Sequence, residues 1–165
     1  MKVVDDFLPS YQFKQLQSIV LSRELHWQYE DGIIGPNDGQ YQFTHVLFNI
    51  RYGGVGSKYY SVFDVVQQKL GVKKLDRIKL NLNPKTVFHR KGGYHCDTNV
   101  NDPYQHTKTA VFYINTNNGW TEFKKGGRVK SIANRMVIFD SNLEHTGVSC
   151  TDENRRVLVN FNYEV

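Results

Sequence analysis

His95 and Asp97 stand two residues apart in "GGYHCDTNVND", residues 92–102 of a 165-residue chain. On an extended strand, side chains at i and i+2 share a face, so this imidazole and carboxylate can reach one metal ion while Cys96 points away. Alone, His-x-Asp is most simply a turn histidine beside a capping carboxylate. A third donor changes its weight, and His145 supplies it in "FDSNLEHTG", soon after the apolar run "RMVIFD". Two imidazoles and one carboxylate on one face of an octahedral ion leave three positions open. That set suits Fe(II) that must also bind a cosubstrate and dioxygen, whereas thiolate ligation by Cys96 would favour zinc or copper. Beyond His145 comes a basic pair, Arg155-Arg156, opening the strand-like run "RRVLVNFNYEV".

The elements that must position these groups are legible as periodicity. "SYQFKQLQSIVLSREL" (10–25) reads as an amphipathic helix, with Phe13, Leu16, Ile19 and Val20 at helical spacing and Ser10 placed to cap it. "SKYYSVFDVVQQKLG" (57–71) reads as a second helix, with Ser57 as its cap and Gly71 past its end. Residues 31–40 are turn-rich. "FTHVLFNI" (43–50) has strand composition, and "RIKLNLN" (77–83) alternates apolar Ile78, Leu80 and Leu82 with polar residues. "TKTAVFYINT", "RMVIFD" and the C-terminal run continue as strands, and "TEFKKGGRVKSI" reads as a hairpin around Gly126-Gly127. One domain is expected: a helical part over about 1–74, then a β-core over about 75–165 of roughly seven or eight short strands. Strands so spaced build a β-sandwich or barrel, here α+β and mainly β, with the helices on one face.

Composition narrows the class. Hydrophobic residues at 39% imply a packed core rather than disorder. The net charge of +5 allows attraction to acidic partners, but the basic residues fall in scattered pairs, so no dedicated nucleic-acid groove is expected. No apolar run approaches the ~18 residues that span a bilayer. "MKVVDDFLPSYQ" is acidic where a signal peptide would be apolar, and two cysteines make no disulfide framework. A cytoplasmic protein without membrane attachment is the expectation.

The chain resembles the 2-oxoglutarate- and Fe(II)-dependent dioxygenases, and within them the prolyl-4-hydroxylase-like branch. His95, Asp97, His145 and the basic pair follow that family's order and spacing. "FYINTNNGWTEF" resembles its strand, turn and Gly-x-Thr-x-Phe segment, with Trp120 where Glu or a neighbouring Gly is more usual. "NRMVIFDSNLEHTG" resembles the segment leading into the distal histidine, and "VVDDFLP" its opening. The resemblance implies a double-stranded β-helix of the jelly-roll or cupin-like kind. It also implies a hydroxylase that uses Fe(II), 2-oxoglutarate and dioxygen, is stimulated by ascorbate, and releases succinate and CO2. By the same resemblance, His95, Asp97 and His145 hold iron. Arg155 or Arg156 anchors the distal carboxylate of 2-oxoglutarate, because a buried carboxylate needs a partner that stays charged. Arg155 is favoured, since Phe161 lies six residues on along its face and the ten-residue step from His145 fits. Tyr113 is expected at the same carboxylate, and Asn81 points inward. The substrate is expected to be a peptide, a prolyl or other amino-acid residue, or a small molecule. Segments 31–40 and 98–106 are expected to cover the site. A non-catalytic small-ligand-binding β-barrel with a vestigial metal site is the alternative, and a three-histidine cupin site is disfavoured by Asp97.

Overall fold

The computed structural model describes residues 1–33, 35, 38–98 and 107–165. Along the chain run β1 (Lys2–Val4), α1 (Ser10–Val20), β2 (Gln28–Glu30), β3 (Gln42–Asn49), β4 (Gly54–Val55), α2 (Asp64–Leu70), β5 (Lys74–Pro84), β6 (Lys108–Tyr113), β7 (Trp120–Phe123), β8 (Arg128–Lys130), β9 (Met136–Asp140), β10 (His145–Val148) and β11 (Arg155–Glu164). The large sheet has the order β1-β9-β6-β11-β5-β3-β2, with β4 paired to β3, and the small one β10-β7-β8. Every strand pairing between them is antiparallel.

Both faces of the large sheet are used, and strand parity decides which residue goes where. On one face Ile78 and Leu80 of β5, Ala110 and Phe112 of β6, and Val157, Val159 and Phe161 of β11 pack against Phe13, Leu16 and Val20 of α1 and Val66 of α2. On the other, Val111, Tyr113, Val137, Phe139 and Leu158 meet Phe123 and Val129 of the small sheet. The period-two alternation of "RIKLNLN" therefore sends Ile78 and Leu80 to the helices and aims Lys79, Asn81 and Asn83 between the sheets.

The helices are shorter than their periodicity suggests. Helix α1 stops at Val20, although Leu25 is still buried in the same core. Pro9, with φ −50°, takes the N-cap place and makes no side-chain cap bond, so Ser10 is the first helical residue and not its cap. The segment after Ser57 starts as a 3-10 turn, Tyr60–Phe63, before α2. Ser57 Oγ accepts the Tyr59 N–H at 3.2 Å, and Gly71 (φ +69°) closes α2 in the left-handed conformation that lacks a steric cost only without a Cβ. The hairpin β7–β8 turns through Gly126 and Gly127, both at positive φ. The first 74 residues are less purely helical than their sequence implies, since they also contribute β1 to β4. Among the described residues, no helix is long and apolar enough to cross a membrane.

Candidate metal centre

Two neighbouring backbones bring the ligands together. The His95 N–H bonds the His145 carbonyl and the His145 N–H bonds the His95 carbonyl, each at 3.0 Å, so the segment carrying His95 lies antiparallel against β10. Asp97 is fixed two residues on by its own N–H to the Ser141 carbonyl at 3.0 Å. The two imidazoles then face each other at 4.5 Å between ring centroids. Asp97 sits between them: Oδ1 lies 3.8 Å from His95 Nε2, and Oδ2 3.8 Å from His145 Nε2. One ligand atom from each residue falls within 4.8 Å of the other two.

Hydrogen bonds behind the ligands set their orientation. A carbonyl can only accept, so the 2.9 Å contact of His145 Nδ1 to the Leu143 carbonyl puts the ring proton on Nδ1 and leaves the Nε2 lone pair toward Asp97. The His95 Nδ1 contact to the Gly93 carbonyl, at 3.4 Å, acts in the same sense. Asp97 Oδ2 accepts from Thr109 Oγ1 at 2.7 Å and from Asn162 Nδ2 at 3.2 Å. Asn162 Oδ1 in turn accepts from Arg77 Nε at 3.0 Å. Burial opposes ionisation of Asp97, but His145, the Thr109 hydroxyl and Arg77 together outweigh it and hold the carboxyl below its usual range. Burial first, then the neighbouring imidazole of His145, pushes His95 below the ordinary imidazole value. Both shifts run toward the forms that bind a metal, a carboxylate at Asp97 and a neutral imidazole at His95.

A side-chain staple holds the ligand segment against the small sheet. Glu122 on β7 accepts from Tyr94 Oη at 2.5 Å, from Trp120 Nε1 at 3.1 Å and from Lys91 Nζ at 3.0 Å. The Tyr94 hydroxyl first, then Trp120 and Lys91, lower the Glu122 carboxyl to about 2. A depressed folded value contributes stability that is present above the unfolded value of 4.5 and is lost as pH falls through about 2. Glu122→Gln is therefore expected to flatten the loss of melting temperature between those two pH values. Added salt reduces the difference between the variants, because the staple is solvent-accessible. Thermal melts against pH check it.

The basic pair divides across the sheet. Arg156, 2% exposed, lies between the sheets and lines the same cleft as His95, Asp97 and His145. Its Nε donates to Ser131 Oγ at 2.9 Å and its Nη2 to Thr121 Oγ1 at 3.2 Å, and its guanidinium lies 5.7 Å from the Tyr113 ring centroid. Arg155 points to the opposite face, where Nη2 reaches the Leu21 carbonyl at the end of α1 at 3.4 Å. The preference for Arg155 is thereby corrected on geometry. Phe161 marks its face as the helix-packed one, where it meets Phe63 at 6.1 Å, and the cleft face is that of Arg156, Leu158 and Asn160. Burial lowers the Arg156 pKa, yet guanidinium stays charged at any ordinary pH. Among the described residues no carboxylate pairs with it. A buried cation so placed fits an incoming carboxylate. Gly119 makes its position possible: a Cβ there would fall 2.8 Å from Arg156 Cδ and 2.7 Å from the Val148 carbonyl.

Tyr113 is fully buried beneath Arg156 and donates to Thr121 Oγ1 at 2.7 Å; it supports the cleft rather than lining it. Asn81 does line the cleft, donating to Gln42 Oε1 at 2.7 Å and accepting from Asn160 at 3.2 Å. His45 bonds Ser57 and the His26 carbonyl, and His89 bonds the Ser149 carbonyl while packing on Trp120 at 4.7 Å. Cys96 turns away to the Asn142 carbonyl, and Cys150 is fully buried. His106 and nearly all of the expected covering segment 98–106 lie outside the described residues, as do Ile34, Pro36 and Asn37 of the other. Sequence reading missed Thr109, Asn162, Thr121, Ser131, Arg77 and Lys79. Strand parity on β5, β6 and β11 could have found Arg77, Lys79, Thr109 and Asn162, had the cleft face been assigned.

No protein-family model and no curated protein sequence matches the chain. Solved structures do. A viral collagen prolyl hydroxylase from Paramecium bursaria Chlorella virus-1, in complex with 2-oxoglutarate, is similar at TM-score 0.67 and 13% identity, covering 99% of this chain and 95% of that one. A Pseudomonas putida prolyl-4-hydroxylase gives 0.62 and 16%, covering 99% and 92%. HygX from Streptomyces hygroscopicus, with nickel, 2-oxoglutarate and hygromycin B bound, gives 0.61 and 11%, covering 98% and 81%. These likenesses show the fold: the double-stranded β-helix of the prolyl-4-hydroxylase-like 2-oxoglutarate/Fe(II) oxygenases.

Proposed function

We propose that the chain is an Fe(II)- and 2-oxoglutarate-dependent oxygenase that hydroxylates an amino-acid residue, prolyl among them, or a small molecule, with release of succinate and CO2. One observation carries this. His95, Asp97 and His145 converge in a cleft that also holds Arg156, a buried guanidinium with no carboxylate partner among the described residues. A non-catalytic barrel would have no use for both features at once.

In this reading His95, Asp97 and His145 hold ferrous iron, and Arg156 takes the distal carboxylate of 2-oxoglutarate. When bound, the metal and cosubstrate supply the activation of dioxygen and the oxidation of a C–H bond. The chain supplies position. Thr109 and Asn162 keep Asp97 ionised and aimed, and the Leu143 carbonyl fixes the His145 tautomer. Ser131 and Thr121 hold the Arg156 fork at one angle over Tyr113. Val111 and Leu158 line the cleft floor with apolar surface, which excludes water and strengthens each charge contact. Several solved structures of this fold support the reaction class, one a collagen prolyl hydroxylase and another holding hygromycin B, so the fold leaves the substrate open.

Succinate release in the presence of Fe(II), 2-oxoglutarate and air tests the proposal. Formation that requires all three is expected, even as slow turnover without substrate. Absence of such turnover, together with no calorimetric binding of 2-oxoglutarate to the Mn(II)-loaded protein, would favour the vestigial barrel.

A further inference from the structure

The cleft carries more positive charge than its proposed contents neutralise. Its lining includes Arg77, Lys79, Lys85, Arg90 and Arg156 against one carboxylate, that of Asp97. Resting on the oxygenase reading, a ferrous ion cancels the two charges of 2-oxoglutarate, and the one carboxylate, Asp97, offsets one of the five cations. An excess of four positive charges remains in the cleft lining among the described residues.

Two of these cations are built into its floor. On β5, Ile78 and Leu80 are fully buried on the helix side, so the alternating residues Arg77 and Lys79 face the cleft. Register places Arg77 opposite Asn162 and Lys79 opposite Asn160 of β11. Arg77 engages Asn162 through Nε alone, and Asn162 bonds Asp97, so the guanidinium stands one side chain from a proposed metal ligand. Its two terminal nitrogens have no acceptor among the described residues. Lys79 has neither a hydrogen-bond partner nor an ion pair among them. Loss of water, then the charge of Arg77, pushes the Lys79 ammonium down to about 8. It is thus charged at neutral pH but held near a like charge in a half-dry place, a cost that a bound anion relieves. Lys85 and Arg90 are exposed at the rim, where they draw anions inward.

We infer that Arg77 and Lys79 form an oxyanion subsite, and that the substrate presents a carboxylate or phosphate group there, beside the carbon to be oxidised. The subsite is separate from Arg156. A guanidinium edge and an ammonium together fit either anion, and neither is needed for a neutral substrate.

Two-stage calorimetry tests this. In the first stage, 2-oxoglutarate is titrated into the Mn(II)-loaded protein; no binding there sinks the oxygenase reading, and this inference with it. In the second, inorganic phosphate, N-acetyl-L-glutamate and the neutral N-acetyl-L-glutamine are titrated into the saturated complex. Binding of phosphate or of N-acetyl-L-glutamate, and not of N-acetyl-L-glutamine, is expected, and the anion that binds identifies its source. Lys79→Gln should weaken that binding by about tenfold. Its affinity for 2-oxoglutarate serves as the control and stays within about twofold. Lys79→Met, which removes an unpaired half-buried charge and so folds at least as well, should show the same loss. A sound first stage with no anion binding, with equal binding of the glutamate and glutamine derivatives, or with unchanged anion affinity in both Lys79 variants, overturns the subsite.

Discussion

Asp97→Ala is expected to abolish Fe(II)-dependent succinate formation and to weaken Mn(II) binding by more than about 100-fold. Loss of a partner that merely supports a metal ligand costs about 10–100-fold in affinity, so loss of the ligand itself should exceed that range. The physical reason is charge as well as geometry. Asp97 is the only anion lining the cleft among the described residues, and Thr109 and Asn162 hold it ionised between two imidazoles. Asp97→Asn keeps the size and removes the charge, and should fail nearly as completely. Thermal melting of both variants separates loss of metal from loss of fold. Burial opposes the Asp97 charge while His145, Thr109 and Arg77 favour it, so its folded pKa is lowered. The stability this provides in the metal-free protein is present above the unfolded value and is lost as pH falls through the folded one. Near-normal turnover in either variant would remove Asp97 from the metal.

The basic pair gives the second large effect. Arg156→Met should lower affinity for 2-oxoglutarate by about 100-fold or more, the equivalent of two hydrogen bonds to a charged group at ~1.5 kcal/mol each. Arg155→Ala should change it by less than about twofold, because Arg155 lies across the sheet at the end of α1. Arg156→Met is expected to fold, since exchanging an unpaired buried charge for an apolar side chain of similar volume is neutral or stabilising. Arg156→Lys keeps the charge without the fork and should fall between. The reverse pattern, with Arg155 sensitive and Arg156 tolerant, would mean that the cosubstrate enters from the helix-packed face.

The correction from Arg155 to Arg156 shows where linear reading stops. Alternation along "RRVLVNFNYEV" assigned each residue to one of two faces, and those sets hold in the structure. It could not say which face looks into the cleft, because the polar set, Arg156, Asn160 and Asn162, reads as a solvated face as readily as a cleft lining. Val157, Val159 and Phe161 meet the helices, while Leu158 meets the small sheet. Both faces of the strand are nonetheless mostly buried, so polarity alone does not tell a lined cleft from an exposed surface. Strand β10 was also invisible, since "HTGV" is too short and mixed to signal a strand; its pairing with β7 and the His95 segment defines it. Helix α1 ended early for a similar reason: Leu25 keeps helical spacing but reaches the core from a turn.

By itself the sequence determined which residue types were present to hold a metal, His95, Asp97 and His145, and the alternating and helical patterns that yield a mainly β domain with helices on one face. Those are local properties, set by side-chain chemistry and by the repeat of strand and helix. Tertiary structure alone decided that His95 lies opposite His145, that Arg156 rather than Arg155 shares their cleft, and that Arg77 and Lys79 line it with Asp97. Each depends on register between strands far apart in the chain, and register is fixed by hydrogen bonds and packing across the sheet, not by any short run of residues.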